Sequence, residues 1–358
     1  MVRPTYARID LSAITHNVEV LLDLVSPAGY CAVVKADGYG HGDVPVATAA
    51  LDAGATRLAV ALVEEGIRLR ESGISAPILV LSEPPPAAAA ELGKWELTPS
   101  VYTEDFVRAL GAAGKGLQAH VNVDTGMHRV GVAPENLASL LGVARVVGLE
   151  VEGIFTHFPV ADSNRPFTIG QVEAFQGIVD GLDVPLVHMA NTPGAILFPE
   201  ARADFARIGL GTYGLHPCVA TREIVDLRPA MSVISAVSFV QRLPAGTRLS
   251  YGRARELERD ATVVTVPIGY ADGFWRLLSN SGGALVGGKL CPLAGTVTMD
   301  QTMFVVDDAD VAIGDEVVLI GVQGEASISA DDWADDIGTI SYEVVCSVGP
   351  RVPRKFVA

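Results

Sequence analysis

Residues 30–42 read Tyr30-Cys31-Ala32-Val33-Val34-Lys35-Ala36-Asp37-Gly38-Tyr39-Gly40-His41-Gly42. An apolar run of strand length ends on a lysine, and a glycine-rich turn follows. The same grammar recurs along the chain. Strand-like runs are expected at 30–35, 57–62, 76–82, 97–102, 117–124, 149–158, 185–191 and 203–209. An opening helix is expected at 12–24, and amphipathic stretches at 63–72, 104–113, 134–145 and 168–182 lie between the strands. Strand–helix alternation implies right-handed βαβ units and a parallel sheet. About eight repeats over roughly 200 residues fit a closed (β/α)8 TIM-like barrel, with an open doubly wound sheet as the alternative.

After about Arg228 the pattern changes. Strands are expected at 231–243, 261–268, 302–307 and 316–321, without long helices between them. Turn signals separate them at Pro244-Ala245-Gly246, Gly282-Gly283 and Gly287-Gly288. This reads as a mostly antiparallel β domain. The expected division is an α/β barrel domain at 1–228, whose first few residues can pack with the β domain, and a β domain at 229–358. The acidic run Asp331-Asp332-Trp333-Ala334-Asp335-Asp336 reads as solvated surface. Ala87–Ala90 reads as a loop entering a helix.

A length of 358 residues suggests about two domains. With 49% apolar and 19% charged residues the chain can bury a core, which excludes global disorder. Lys+Arg 26 against Asp+Glu 42 leaves −16, a poor electrostatic match for nucleic acid or anionic lipid. No run of about 18 apolar residues predicts a membrane span. The start, Met1 to Tyr6, has no apolar signal core, so a cytoplasmic location is expected. Cys31, Cys218, Cys291 and Cys346 form no C-x-x-C pair. They predict buried reduced thiols, with neither a disulfide framework nor a metal site.

In a barrel the carboxyl ends of the strands face the active site. Lys35 stands at such an end, where partial desolvation favours the neutral, carbonyl-attacking amine. By strand position alone, a rim lysine in a salt bridge explains it as well. Arg129 follows the fifth strand, His157 ends the sixth, His188, Asn191 and Thr192 accompany the seventh, and Arg207 and Gly209 end the eighth. The set lacks a transition-metal cluster. One lysine, two arginines, tyrosines and glycines suit an aldehyde cofactor with a phosphate and an acidic substrate.

The motifs are AVVKADGYGHG at Lys35, VDTGMHRVGV at Arg129, THF at His157, HMANTPGA at Asn191 and RIGLGTYGL from Arg207. They continue with SYG at Tyr251, PIGYADG at Tyr270, TMDQTM at Asp300 and TISYEVVC at Tyr342. In this order they span nearly the whole chain, which with them resembles the alanine racemases. These are fold-type III pyridoxal 5'-phosphate enzymes that interconvert L- and D-alanine. The resemblance implies that Lys35 holds the cofactor covalently and serves as one base, with Tyr251 as the other. It implies that Arg207 donates to the pyridine nitrogen, with His157 and His188 behind it. Tyr39, Thr192, Gly209, Leu210 and Tyr342 would hold the phosphate. Arg129 would contact the substrate carboxylate and the cofactor's phenolic oxygen, and the Met299 backbone the carboxylate, with Asp300 beside it. It also implies a homodimer whose partner chain supplies Tyr251, Met299 and Asp300 to the site, and supply of D-alanine to peptidoglycan. Asp162, Tyr270 and Arg276 match positions around the substrate entrance.

These roles make chemical sense. Racemisation removes a proton from one face and returns one to the other, which two opposed groups do most simply. A tyrosine hydroxyl is a weak base at neutral pH, so a neighbouring cation or the cofactor has to assist it. An arginine donates to the ring nitrogen without protonating it, which weakens the ring as an electron sink and should suppress transamination. One position departs from the family: Asn122 stands where many members carry a lysine whose carbamate orients the arginine. Arg129 would then be held by the Asn122 amide or a bound chloride. Some racemases of wider specificity share this asparagine, so a racemase acting on serine or several small amino acids is the alternative. A decarboxylase of this architecture and a non-catalytic cofactor carrier are further readings. The first is opposed by Arg207, and the second leaves the β domain unexplained.

Overall fold

The chain opens with strand β1 (Tyr6–Asp10) and helix α1 (Leu11–Val25) in the computed structural model, which describes residues 3–306 and 310–358. There follow β2 (Gly29–Val33), the single turn α2 (Lys35–Tyr39), α3 (Asp43–Asp52), β3 (Arg57–Val60), α4 (Val63–Glu71) and β4 (Ile78–Val80). Next come α5 (Ala89–Lys94), β5 (Thr98–Val101), α6 (Glu104–Ala113), β6 (Gln118–Asn122), α7 (Leu137–Val147) and β7 (Glu150–Phe155). The series ends with α8 (Arg165–Val179), β8 (Leu186–His188), α9 (Thr192–Leu197), β9 (Phe205–Ile208) and α10 (Val219–Arg222).

Strands β2 to β9 are parallel and pair in the order β8-β7-β6-β5-β4-β3-β2-β9. Backbone bonds draw the two ends together. Arg207 N–H donates to the Ala190 carbonyl at 2.9 Å and Asp204 N–H to Val187 at 3.0 Å. The sheet is thus a nearly closed barrel rather than an open doubly wound sheet. Every residue of β9, and of β2 after Gly29, is buried. Strands covered on both faces read as continuous apolar runs, which is why the sequence announces them so clearly. Each strand is shorter than its apolar run, and the residues left over turn into the loops that carry polar groups.

After Arg228 come β10 (Met231–Ala236), β11 (Phe239–Leu243), β12 (Arg248–Leu249), β13 (Arg255–Glu256) and β14 (Ala261–Val266). They are followed by β15 (Gly283–Val286), β16 (Lys289–Pro292), β17 (Thr302–Val306), β18 (Glu316–Gln323) and β19 (Ala326–Ile328). Helices α11 (Ala330–Ile337) and α12 (Ser341–Ser347) and strand β20 (Arg354–Val357) complete the chain. One sheet runs β16-β15-β18-β10-β1-β20, with β19 paired to β18, and a second runs β11-β14-β17. All these pairings are antiparallel except β1 with β20.

Ser12–Gly38 and Gly42–Arg228 form the barrel unit. The chain up to Leu11, Tyr39–His41 and the chain from Pro229 form the β unit.

Three expectations need correction. The run 231–243 is two strands in two sheets. Val237 N–H donates to the Asp315 carbonyl, while Ser238 N–H donates to Thr265, so the chain changes partner between them. The strand expected at 302–307 is present over Thr302–Val306, and Asp307 lies outside the described residues. The acidic run is an amphipathic helix: Asp332, Asp335 and Asp336 face solvent, whereas Trp333 and Ala334 are buried. No disulfide joins the four cysteines, but only Cys31 and Cys291 are buried, and Cys346 is exposed.

Candidate active site

Arg207 sits on β9 and is 3% exposed. A buried guanidinium needs acceptors. Its Nη1 donates to His188 Nδ1 at 2.7 Å. Its Nη2 donates to the Thr156 and Met189 carbonyls at 2.7 and 3.2 Å and lies 3.2 Å from His157 Nδ1. The Phe155 ring centroid is 4.9 Å away. Burial draws its pKa down to about 10. Its Nε–H makes no hydrogen bond to protein among the described residues.

His188 extends this network. Its Nε2 is 2.7 Å from His120 Nδ1, and His120 Nε2 is 3.0 Å from Glu152 Oε2. The two ends fix the direction. A guanidinium only donates, so His188 carries its lone pair on Nδ1 and its proton on Nε2. The same assignment passes to His120, whose Nε2–H meets an acceptor-only carboxylate. Both imidazoles are neutral, since burial lowers both pKa values and Arg207 adds to the effect. Gly153 makes room for this, because a Cβ there would lie 2.4 Å from His120 Nδ1. His120 and Glu152 were not expected from the sequence. A lone histidine in an apolar run reads as core, and only strand pairing brings it to His188.

Lys35 follows β2 and is partly buried. The turn after it is left-handed. His157 registers its neighbours: its pKa is pushed down to about 3, by burial first, then by Arg207, Arg129 and Lys35. These four expected residues therefore share one end of the barrel. Thr192 is there too, buried, with Oγ1 accepting the Gly209 and Gly211 N–H groups at 3.2 and 3.4 Å. Leu210 is buried between those glycines.

Arg129 is exposed on the loop after β6 and has no protein partner among the described residues. Asp124 shapes that loop by accepting the N–H groups of Gly126, Met127 and His128 at 3.0, 3.1 and 3.0 Å. Asn122 is buried and lines a small cleft with Arg129, Thr156 and His157, but no hydrogen bond joins it to Arg129.

The β unit carries the remaining expected residues. Tyr39 and Tyr342 stack obliquely, ring centroids 6.2 Å apart, and burial raises the Tyr39 hydroxyl pKa. Tyr251 is 74% exposed, and its carbonyl accepts from Thr296 Oγ1 at 3.0 Å. Met299 is half exposed on a segment braced from below: Tyr270 and Ala271 N–H donate to the Thr298 and Met299 carbonyls at 3.0 and 3.1 Å. A Cβ at Gly269 would lie 2.2 Å from the Thr298 carbonyl oxygen, so the bracing needs glycine. Asp300 is held by Arg351 at 2.7 Å, and Arg351 also binds the buried Asp272 at 3.2 Å.

Comparison with known proteins agrees with this division of labour. Residues 9–217 match the family model for the alanine racemase N-terminal domain, and residues 230–356 that for the C-terminal domain. The alanine racemase of Halothermothrix orenii is 41% identical, with 99% of this chain and 97% of that protein covered. That of Symbiobacterium thermophilum is 43% identical, with 98% and 97% covered. The solved alanine racemase of Bacillus anthracis with bound L-Ala-P superposes with a TM-score of 0.95 at 36% identity, covering 100% of this chain and 96% of that one. Likeness of this depth, carried through both units, establishes that the chain belongs to the alanine racemase family.

Proposed function

We propose that this chain racemises alanine by a two-base reaction on pyridoxal 5'-phosphate held at the end of the barrel. The residues fit the cofactor. A buried guanidinium presents a donor, the Arg207 Nε–H, that protein leaves unused, as a ring nitrogen requires. Thr192 Oγ1 accepts the Gly209 and Gly211 N–H groups, which leaves its own hydroxyl proton to donate to a phosphate at the Gly209–Leu210 turn. Tyr39 and Tyr342 would complete that set. When bound, pyridoxal phosphate supplies an electron-withdrawing ring that acidifies the α-proton of the amino acid. Lys35 Nζ would hold the cofactor and move the proton on one face, and Tyr251 Oη the proton on the other. Arg129 would bind the substrate carboxylate with the Met299 backbone, and Asp300 would stand beside it. Arg207 would keep the ring nitrogen unprotonated, because it donates and does not release its proton.

The exposure of Tyr251 and Met299 supports a homodimer in which these residues and Asp300 complete the partner chain's site. We place the enzyme in the cytoplasm, supplying D-alanine for peptidoglycan. No helix among the described residues is long and apolar enough to cross a membrane. The unpartnered Arg129 beside Asn122 favours a second reading, a racemase of wider range that also accepts serine. Arg207 with its unused donor carries the main reading. Borohydride reduction of the loaded protein, followed by peptide mapping, tests it: pyridoxyl is expected on Lys35 and is lost in Lys35→Ala. Tyr251→Phe should keep the label and lose most racemisation. Label on another lysine, or full racemisation by Tyr251→Phe, contradicts the assignment.

A further inference from the structure

The turn after Lys35 is held in a conformation that its residues disfavour. Ala36, Asp37 and Gly38 have φ of +53°, +54° and +59° with ψ of +51°, +47° and +47°, and Tyr39 follows at φ +52°. Only the glycine adopts this left-handed winding freely. Such backbone persists where its surroundings impose it.

Helix α4 imposes it. Glu65 is 8% exposed, and its Oε1 accepts the Ala36 N–H at 2.6 Å. Its Oε2 accepts the Ala61 and Leu62 N–H groups at 2.8 and 3.1 Å. Those amides lie just after β3, the strand beside β2. One carboxylate thus ties the neighbouring strand's end to the residue that follows Lys35. Three residues further on, Arg68 binds Asp43 through Nε at 2.6 Å and also through Nη2. The Asp43 N–H donates to Asp37 Oδ1 at 3.3 Å, and the Gly42 N–H to the Asp37 carbonyl at 2.8 Å. Helix α4 therefore grips the entry of the turn with Glu65 and its exit with Arg68.

We propose that Glu65 is a positioning residue for Lys35: its carboxylate holds the left-handed turn that sets where the lysine amine points. The proposal rests on the reading of Lys35 as cofactor holder and base. A charge-assisted bond to one backbone amide decides the matter, so Glu65→Gln is the informative change. A glutamine placed here turns an NH2 group against at least one of three N–H donors.

The test uses the full chain loaded with pyridoxal phosphate and two readouts. Borohydride mapping reports whether Lys35 carries the label. Cα-deuterium isotope effects, measured separately from L- and D-alanine, report the two proton transfers. The equilibrium constant between enantiomers is one, so kcat/KM must fall equally in both directions, but isotope effects are not so bound. Glu65→Gln should keep the label on Lys35 and lower kcat/KM by about tenfold or more. It should raise the isotope effect only for the enantiomer whose proton Lys35 removes. Adding Ala36→Gly, which removes the penalty of the left-handed turn, should recover most of that loss. Glu64→Gln, on the exposed neighbour, should change nothing. Glu65→Asp, one methylene short, is the milder variant if Glu65→Gln does not fold. An isotope effect unchanged or raised equally in both directions, or no recovery with Ala36→Gly, overturns the proposal. Wild-type label on a different lysine overturns instead the reading beneath it.

Discussion

Arg207 and Arg129 both belong to the end of the barrel, yet their surroundings are opposite. Arg207 is buried on a strand, with two imidazoles and two carbonyls around its guanidinium. Arg129 stands exposed on a loop with no protein partner among the described residues. The first is fixed before any ligand arrives. On the proposed reading the second would be ordered by the carboxylate it binds, and that ordering would be subtracted from affinity. The contrast is what the proposed function asks of a site that would hold its cofactor ring rigidly and meet its substrate adjustably.

The contrast can be broken or sharpened in stages. Arg207→Met should have the largest effect. It strips donors from His188 Nδ1 and two buried carbonyls, and should lower the stability of the cofactor-free protein by about 3 kcal/mol or more in urea. A loss below about 1 kcal/mol would mean that the network is not pinned by its arginine.

Acid comes next. His157 and His188 are neutral when folded and bind protons more readily when unfolded. Below the ordinary histidine range the unfolded state therefore takes up more protons, and stability falls as pH falls. From near pH 6.5 to pH 5.5 each histidine should remove about 1 kcal/mol, with the loss continuing for His157 towards its folded value of about 3. Urea midpoints across this window test the slope, and a flat profile would show that the histidines are not buried neutral.

Glu152→Leu should cost less, about 1–2 kcal/mol, because it orphans one buried N–H. Its signature is spectroscopic: in 15N spectra His120 and His188 should lose their uniform Nε2–H form, while Glu152→Gln retains it. Arg129→Gln should be smallest for stability, within about 0.5 kcal/mol. It should raise KM for alanine, and a large destabilisation would mean that Arg129 is anchored after all.

The barrel was legible because its strands are buried on both faces and leave unbroken apolar runs. Strand β1 was not: Tyr6-Ala7-Arg8-Ile9-Asp10 is short and alternating, and its partners β10 and β20 lie over 200 residues away. The sites at strand ends were legible because barrel geometry predicts where polar residues gather. His120 and Glu152 escaped because their roles exist only through register, which sets His120 opposite Gly153 and Phe155 opposite His188. Glu65 escaped for a related reason. An acidic residue in the first turn of a helix has an ordinary explanation, and nothing local shows that it reaches Ala36. The left-handed turn itself is signalled only by Gly38, since Ala36, Asp37 and Tyr39 give no hint of positive φ.

The most direct measurement is to mix the purified protein, loaded with pyridoxal phosphate, with L-alanine in deuterated water. Deuterium at Cα and optical rotation are followed together. Deuterium uptake with rotation decaying to zero is the predicted result. Intact cofactor on Lys35 with neither uptake nor decay would contradict alanine racemisation, and serine tried in the same tube would then show whether the adjustable half of the site accepts a different substrate.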